Sequence, residues 1–251
     1  MNFINPPAAS PQNVTHKTLF SQILNHEIGY NIYLPPDKEN SEEKYPVVYH
    51  IHGWTGNESS EIWPLEPVYK SRRAITVFMN AISTEESYLD ALKQIEAVLI
   101  TEIIPHIDSR YRTEPIRENR RLSGFSMGGN MAFYFAIKYP DLFSCVTPYA
   151  GTYHHLYHKG SETVGTESEK AAELYEEMLR EKRDFEENNI LSLVRQNADK
   201  IRCKTKIDIH IGTADILFCD NEILHRYLDA LNIPHEYKKF EGIDHNLGMI
   251  L

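Results

Sequence analysis

The segment Gly124-Phe125-Ser126-Met127-Gly128, with Gly129 next, sets a serine between glycines in the G-x-S-x-G pattern. A strand-like run, Arg120–Gly124, leads into it, and a helical pattern over Asn130–Tyr139, stopped by Pro140, follows. A serine held on a tight turn between strand and helix is placed for nucleophilic acyl transfer. The turn lifts Oγ clear of the sheet edge, and backbone crowding there favours glycine at the flanks. The helix that follows points its N-terminus at the same place, which favours developing negative charge.

A serine nucleophile needs a base, an acid that orients the base, and donors for an oxyanion. Chain order narrows the choice, because strand–turn–helix serine sites run Ser, acid, His. Asp215 follows the strand-like run Lys206–Ile211 through Gly212-Thr213-Ala214. His245 follows Glu236–Phe240 through Glu241-Gly242-Ile243-Asp244. Each falls in a loop at the C-terminal end of a strand, where α/β sites assemble. Asp220 and Asp244 compete as the acid. Asp220 falls in or near the next helix, and Asp244 adjoins His245, which is poor geometry for bridging its ring. Ser126, Asp215 and His245 are therefore the expected triad.

The oxyanion donors are expected from the Met127 N–H and from the Trp54 N–H, in the loop His52-Gly53-Trp54-Thr55-Gly56 after Val47–Ile51. His52, Gly53, Phe125 and His154 are the expected substrate contacts. His154, His155 and His158 cluster, but no carboxylate or thiol nearby completes a ligand set, so neither a metal nor an organic cofactor is expected. Cys219, close after Asp215, is read as packing.

These residues need a frame. The opening dozen residues, with Pro6, Pro7 and Pro11, read as a flexible lead-in. Lys17–Leu24 and Ile28–Leu34 read as an antiparallel hairpin turning at Asn25, His26 and Glu27. Val47–His52 and Ala74–Met79 are short apolar runs that suit buried parallel strands. Tyr88, Leu92, Ile95, Leu99 and Ile103 recur at helical spacing, with Pro105 just beyond as the stop. Cys145–Tyr149, Lys206–Ile211 and Glu236–Phe240 read as later strands, and Ile216–Leu231 as a helix. The pattern predicts one mixed, mostly parallel sheet flanked by helices, in a single domain over residues 1–251.

Residues 152–200 are too long for a connection, since loops run about 4–6 residues. They read as a helical insertion after the sixth strand. Its Ala171, Leu174, Tyr175 and Met178 share one helical face, so the segment is either a solvated helix packed on the domain or a cap that shapes substrate choice.

Bulk properties exclude other classes. The 251 residues are 41% hydrophobic and 25% charged, with a net charge of -10 and no Lys/Arg cluster, which argues against nucleic acid. Three cysteines do not make a disulfide framework. The N-terminus lacks the basic start and apolar run of a signal peptide, and no stretch of about 18 apolar residues occurs, so a cytoplasmic protein without membrane contact is expected. Homodimerisation is left open.

The chain after residue 17 resembles the esterase D and feruloyl esterase group of α/β-hydrolases, often described as carbohydrate esterase family one. Enterobactin esterases and mycolyltransferases are relatives of that group. EIIPHIDSRYR, the RRLSGFSMGG elbow, the helix ending KYPDLFS and the loops IGTAD and GIDHN carry the resemblance. It implies the α/β-hydrolase fold and carboxylic ester hydrolysis, with Ser126, Asp215 and His245 at the family's triad positions and Trp54 and Met127 at its oxyanion positions. The family usually continues past its histidine into a helix, whereas Asn246–Leu251 follow here. Expected substrates are feruloyl or acetyl esters of plant carbohydrate, small-molecule or oligosaccharide. S-formylglutathione hydrolysis, acyl transfer to another alcohol and a non-catalytic binding module are the alternatives.

Overall fold

The β1 strand, Val14–Ser21, pairs antiparallel with β2, His26–Tyr33, in a register running from Val14↔Tyr33 to Ser21↔His26. The expected hairpin is present, but β1 starts three residues earlier than its periodicity suggests. Asn25, at φ 54°, closes the turn in the left-handed region that asparagine tolerates. Glu102 holds that turn, accepting the Gln22 N–H at 2.8 Å, the Ile23 N–H at 3.1 Å and the Ser21 hydroxyl at 2.6 Å.

This computed structural model describes residues 2–36, 42–85, 88–153 and 190–251. The chain divides into two compact units, Met1–Arg121 and Leu122–Leu251. In the first, strands run in the order β1-β2-β4-β3, with β3 at Val47–Ile51 and β4 at Ile75–Met79. β3 and β4 are parallel and buried at every position, as their continuous apolar runs require. A short helix, α1 (Glu66–Ser71), lies between them in sequence.

Two expectations for this unit are corrected. The opening residues are tied down by long-range hydrogen bonds. The Phe3 carbonyl accepts the Gly29 N–H at 2.8 Å, and Trp63 Nε1 donates to the Ala9 carbonyl at 3.3 Å. The Asn5 N–H and amide both donate to Glu58, a fully buried carboxylate that also bonds His16 Nε2 and accepts from Asn80 Nδ2 at 2.8 Å. Proline content made the segment look loose, but its partners lie tens of residues away in sequence. Nor does Pro105 stop the helix. After α2 (Tyr88–Val98) the chain widens into one π-helical turn, Leu99–Ile103, and continues as α3, Ile104–Arg110. Pro105 lies in the first turn of α3, where a missing N–H is tolerated.

The second unit carries β5 (Arg120–Phe125, whose first two residues belong to the first unit), β6 (Cys145–Tyr149), β7 (Lys206–Gly212) and β8 (Glu236–Phe240), in that order. β7 is parallel to β6 and to β8. Helix α4 spans Met127–Lys138, so it begins directly at the serine turn rather than at Asn130. Every residue from Met127 to Ile137 is buried, which explains its apolar sequence on all faces. Helix α5, Ile190–Lys204, precedes β7, and α6, Phe218–Ala230, precedes β8. The rest of the expected insertion, including its amphipathic middle and the His154, His155 and His158 cluster, lies outside the described residues. Among those described, no helix is long and apolar enough to cross a membrane.

Candidate active site

Ser126 joins β5 to α4 at φ 55° and ψ -117°. A positive φ on a non-glycine residue costs on the order of 1–3 kcal/mol, so the surroundings must enforce it. They do so with hydrogen bonds. The Ser126 N–H donates to the Tyr149 carbonyl at 2.9 Å, and the Ser126 carbonyl accepts the Asn130 and Thr152 N–H groups at 3.1 and 3.2 Å. Gly124 is required sterically, since a Cβ there would sit 2.1 Å from the Gly128 carbonyl oxygen. Oγ lies 3.4 Å from Thr152 Oγ1. Met127 is the first residue of α4, and among the described residues its N–H has no acceptor. That is one of the donors a helix start leaves open.

Asp215 and His245 come from the loops after β7 and β8. Asp215 is fully buried, and its Oδ2 accepts His245 Nδ1–H at 2.7 Å while its Oδ1 accepts the Leu217 N–H at 2.8 Å. Both carboxylate oxygens are thus engaged, and the bond to Asp215 makes Nδ1 the donor of the imidazole. His245 remains 28% exposed at its side chain. Phe125, the residue before Ser126, stacks on the His245 ring with centroids 4.5 Å apart and planes 26° apart. This contact brings the imidazole against the serine turn. The competing acids are placed otherwise. Asp220 is buried on α6 and accepts the Tyr153 N–H at 3.2 Å, whereas Asp244 is exposed.

The two loops are locked together by backbone. Thr213 N–H donates to the Phe240 carbonyl at 2.9 Å and Ala214 N–H to the Ile243 carbonyl at 3.0 Å. Gly212 permits this approach, because a Cβ there would meet the Ile243 oxygen at 2.1 Å. Gly212→Ala must therefore push the Asp215 and His245 loops apart. A misplacement of about 1 Å costs on the order of 10²-fold in rate. We expect kcat for a p-nitrophenyl ester to fall by about that factor in folded protein; unchanged kcat would contradict this role. Gly212, Thr152 and Asn221, which donates to the Gly151 carbonyl at 2.9 Å, escaped the sequence reading. The IGTAD motif contained Gly212, but only a packing distance explains it.

In the first unit, the loop after β3 is built around buried side chains. His52 is buried; its Nδ1–H donates to the Gly53 carbonyl at 2.7 Å, and its Nε2 accepts the Ala81 N–H at 3.0 Å. Burial lowers its pKa, so the ring is neutral and both nitrogens are committed to backbone. Gly53 N–H donates to Glu61 Oε1 at 2.9 Å, and Glu61 Oε2 bonds His50. The next N–H, that of Trp54, has no described acceptor, and the Trp54 residue is 75% exposed. Removing the carboxylate in Glu61→Ala strands the buried Gly53 donor. A loss of about 1–3 kcal/mol in urea unfolding is expected; no change would show that the loop is held by other means. His154 lies outside the described residues.

A family model described as "Putative esterase" matches residues 21–247. An endo-1,4-beta-xylanase/feruloyl esterase of Xylanibacter ruminicola is 29% identical over a 150-residue alignment that covers 52% of this chain and 20% of that protein. The chain spans less than a third of the length of the curated relatives it matches, at 20% and 29%. Among solved structures, a ferulic acid esterase superposes with a TM-score of 0.73 at 23% identity, covering 94% of this chain and 92% of the other. An S-formylglutathione hydrolase from Agrobacterium tumefaciens superposes at 0.69 with 19% identity, covering 98% and 93%. At these identities the likeness shows the shared fold, the α/β-hydrolase fold. With a family model that runs over almost its whole length, the chain belongs to this esterase family.

Proposed function

We propose that the protein is a serine carboxylesterase that works through an acyl-serine intermediate. The observation that carries the reading is the buried Asp215 on His245 Nδ1 at 2.7 Å, with the imidazole stacked on the residue before Ser126. His245 Nε2 takes the Ser126 proton as Oγ attacks the ester carbonyl. Asp215 holds the imidazole tautomer and stabilises the imidazolium. The Met127 N–H receives the oxyanion, and the family pattern gives the Trp54 N–H the same role. The imidazolium protonates the leaving alcohol, which departs, and His245 then activates water to cleave the acyl-enzyme. Each step is a proton or acyl transfer within Ser126, His245, substrate and water, so the reading calls on no metal or organic cofactor.

The substrate we propose is a feruloyl or acetyl ester of plant carbohydrate. The named activity of the Xylanibacter relative and the ferulic acid esterase neighbour support it. S-formylglutathione hydrolysis is the second reading, supported by the Agrobacterium neighbour. The two differ in the acyl group: a feruloyl ester needs an aromatic slot and a formyl group needs almost none. A panel of methyl ferulate, p-nitrophenyl acetate, butyrate and octanoate, and S-formylglutathione separates them. The highest kcat/KM is expected on methyl ferulate or the acetate. The highest value on S-formylglutathione would select the second reading, and no turnover of any member would overturn both.

A further inference from the structure

Away from the serine turn, helix α6 ends in a rigid reversal. Asn232 takes φ 52°, the Ile233 N–H donates to the Leu228 carbonyl at 2.9 Å, and the Asn232 N–H donates to the Asp229 carbonyl at 2.9 Å. This paired Schellman closure, with Pro234 just after it, turns the chain back on the helix. It brings His235 against His225 and Asp229, which share one helix face at i and i+4.

The three side chains converge. One ligand-type atom from each lies within 4.8 Å of the others. His225 Nδ1 and His235 Nε2 are 2.7 Å apart, His225 Nε2 is 3.5 Å from Asp229 Oδ2, and His235 Nε2 is 4.0 Å from Asp229 Oδ1. His235 is oriented from behind, since its Nδ1–H donates to the Ile233 carbonyl at 2.8 Å. That bond fixes the tautomer and turns the Nε2 lone pair into the cluster, the arrangement that backs metal-bound imidazoles. The His225 ring is braced by Tyr237, with centroids 4.4 Å apart and planes 20° apart. The His235 side chain is 3% exposed and that of Asp229 63%, so two ligands are anchored while one side stays open to solvent.

We propose that His225, Asp229 and His235 form a binding site for a divalent transition metal of the zinc class. Two imidazole nitrogens and one carboxylate oxygen are a ligand set for such an ion, with a fourth position left for water. Metal–ligand distances of about 2.0–2.1 Å in a tetrahedron put ligand atoms roughly 3.3 Å apart. The 2.7 Å and 4.0 Å separations straddle that value, and with one nitrogen of His225 facing both partners every ligand atom lies within 4.8 Å of the others, so shifts of up to about 1.5 Å close the site. The metal would not take part in ester cleavage. His235 directly precedes β8 and His245 follows its other end, about 16 Å away along five extended residues. It would clip the end of α6 to the start of the strand that leads to His245.

Zinc chloride titrated calorimetrically into chelator-stripped protein tests this. Wild type and Ser126→Ala are expected to bind an equivalent of zinc that His225→Ala/His235→Ala lacks, and zinc is expected to raise the melting midpoint only where that equivalent binds. Cobalt substituted at the site should show the visible absorption of a tetrahedral nitrogen–oxygen set. Asp229→Asn, at an exposed position, should bind zinc at least tenfold more weakly with the fold intact. Unchanged ester hydrolysis checks the folding of each variant other than Ser126→Ala. The proposal is overturned by equal zinc stoichiometry in wild type and the double variant, by undiminished affinity in Asp229→Asn, or by no binding to wild type. Any of these leaves the pair as a plain hydrogen-bonded couple.

Discussion

Ser126→Ala should lower kcat by about 10⁴–10⁶ while the protein keeps its melting midpoint. The size follows from the proposed chemistry: without Oγ no acyl-enzyme forms, and only transition-state binding remains. The preserved stability follows from the surroundings. The Ser126 hydroxyl has one described contact, Thr152 Oγ1 at 3.4 Å, while the backbone bonds that enforce φ 55° do not involve the side chain. Alanine carries the same Cβ as serine, so it adds no new strain. Steady-state turnover of p-nitrophenyl acetate, with circular dichroism on the same sample, checks both halves. Retention of a tenth of wild-type activity would remove Ser126 from the chemistry.

Asp215→Asn should cost about 10⁴ in kcat, for a different reason. The carboxylate accepts twice, from Leu217 N–H and from His245 Nδ1–H. An asparagine can keep its oxygen on the Leu217 N–H, but it then offers an amide N–H to Nδ1. That stabilises the tautomer with its proton on Nε2, and Nε2 can no longer act as base. Asp244→Asn, at an exposed carboxylate, and Asp220→Asn, whose partner is the Tyr153 N–H, should each keep most of the turnover in folded protein. A loss of similar size in either would move the acid away from Asp215.

The parts of the fold that could be read from residue order are those that depend on short-range pattern. β3 and β4 carried apolar runs with one possible burial, and the Gly-x-Ser-x-Gly turn declared both the strand before it and the helix after it. The family and its α/β-hydrolase fold were legible for the same reason, because the motifs that carry them are local. What escaped depended on contacts between distant residues. The N-terminal segment reads as a loose proline-rich lead until Glu58 is seen to gather Asn5, His16 and Asn80. Pro105 reads as a helix stop because periodicity cannot show a single widened turn before it. Phe125 was expected to touch substrate, and its ring lies on the imidazole of His245. His52 was expected to do the same, and its ring nitrogens serve the backbone of Gly53 and Ala81. Both partners were hidden from residue order, and neither contact rules out the expected one with substrate.

The most direct test of the account is covalent labelling. Wild-type protein treated with a fluorophosphonate and digested should carry one phosphonyl group, on the peptide containing Ser126 and on its Oγ. Labelling should vanish in Ser126→Ala and slow by orders of magnitude in Asp215→Asn, where no base is ready to take the proton. A label on another residue, or ester turnover that continues undiminished in protein whose Ser126 is fully phosphonylated, would contradict a Ser126 acyl-enzyme.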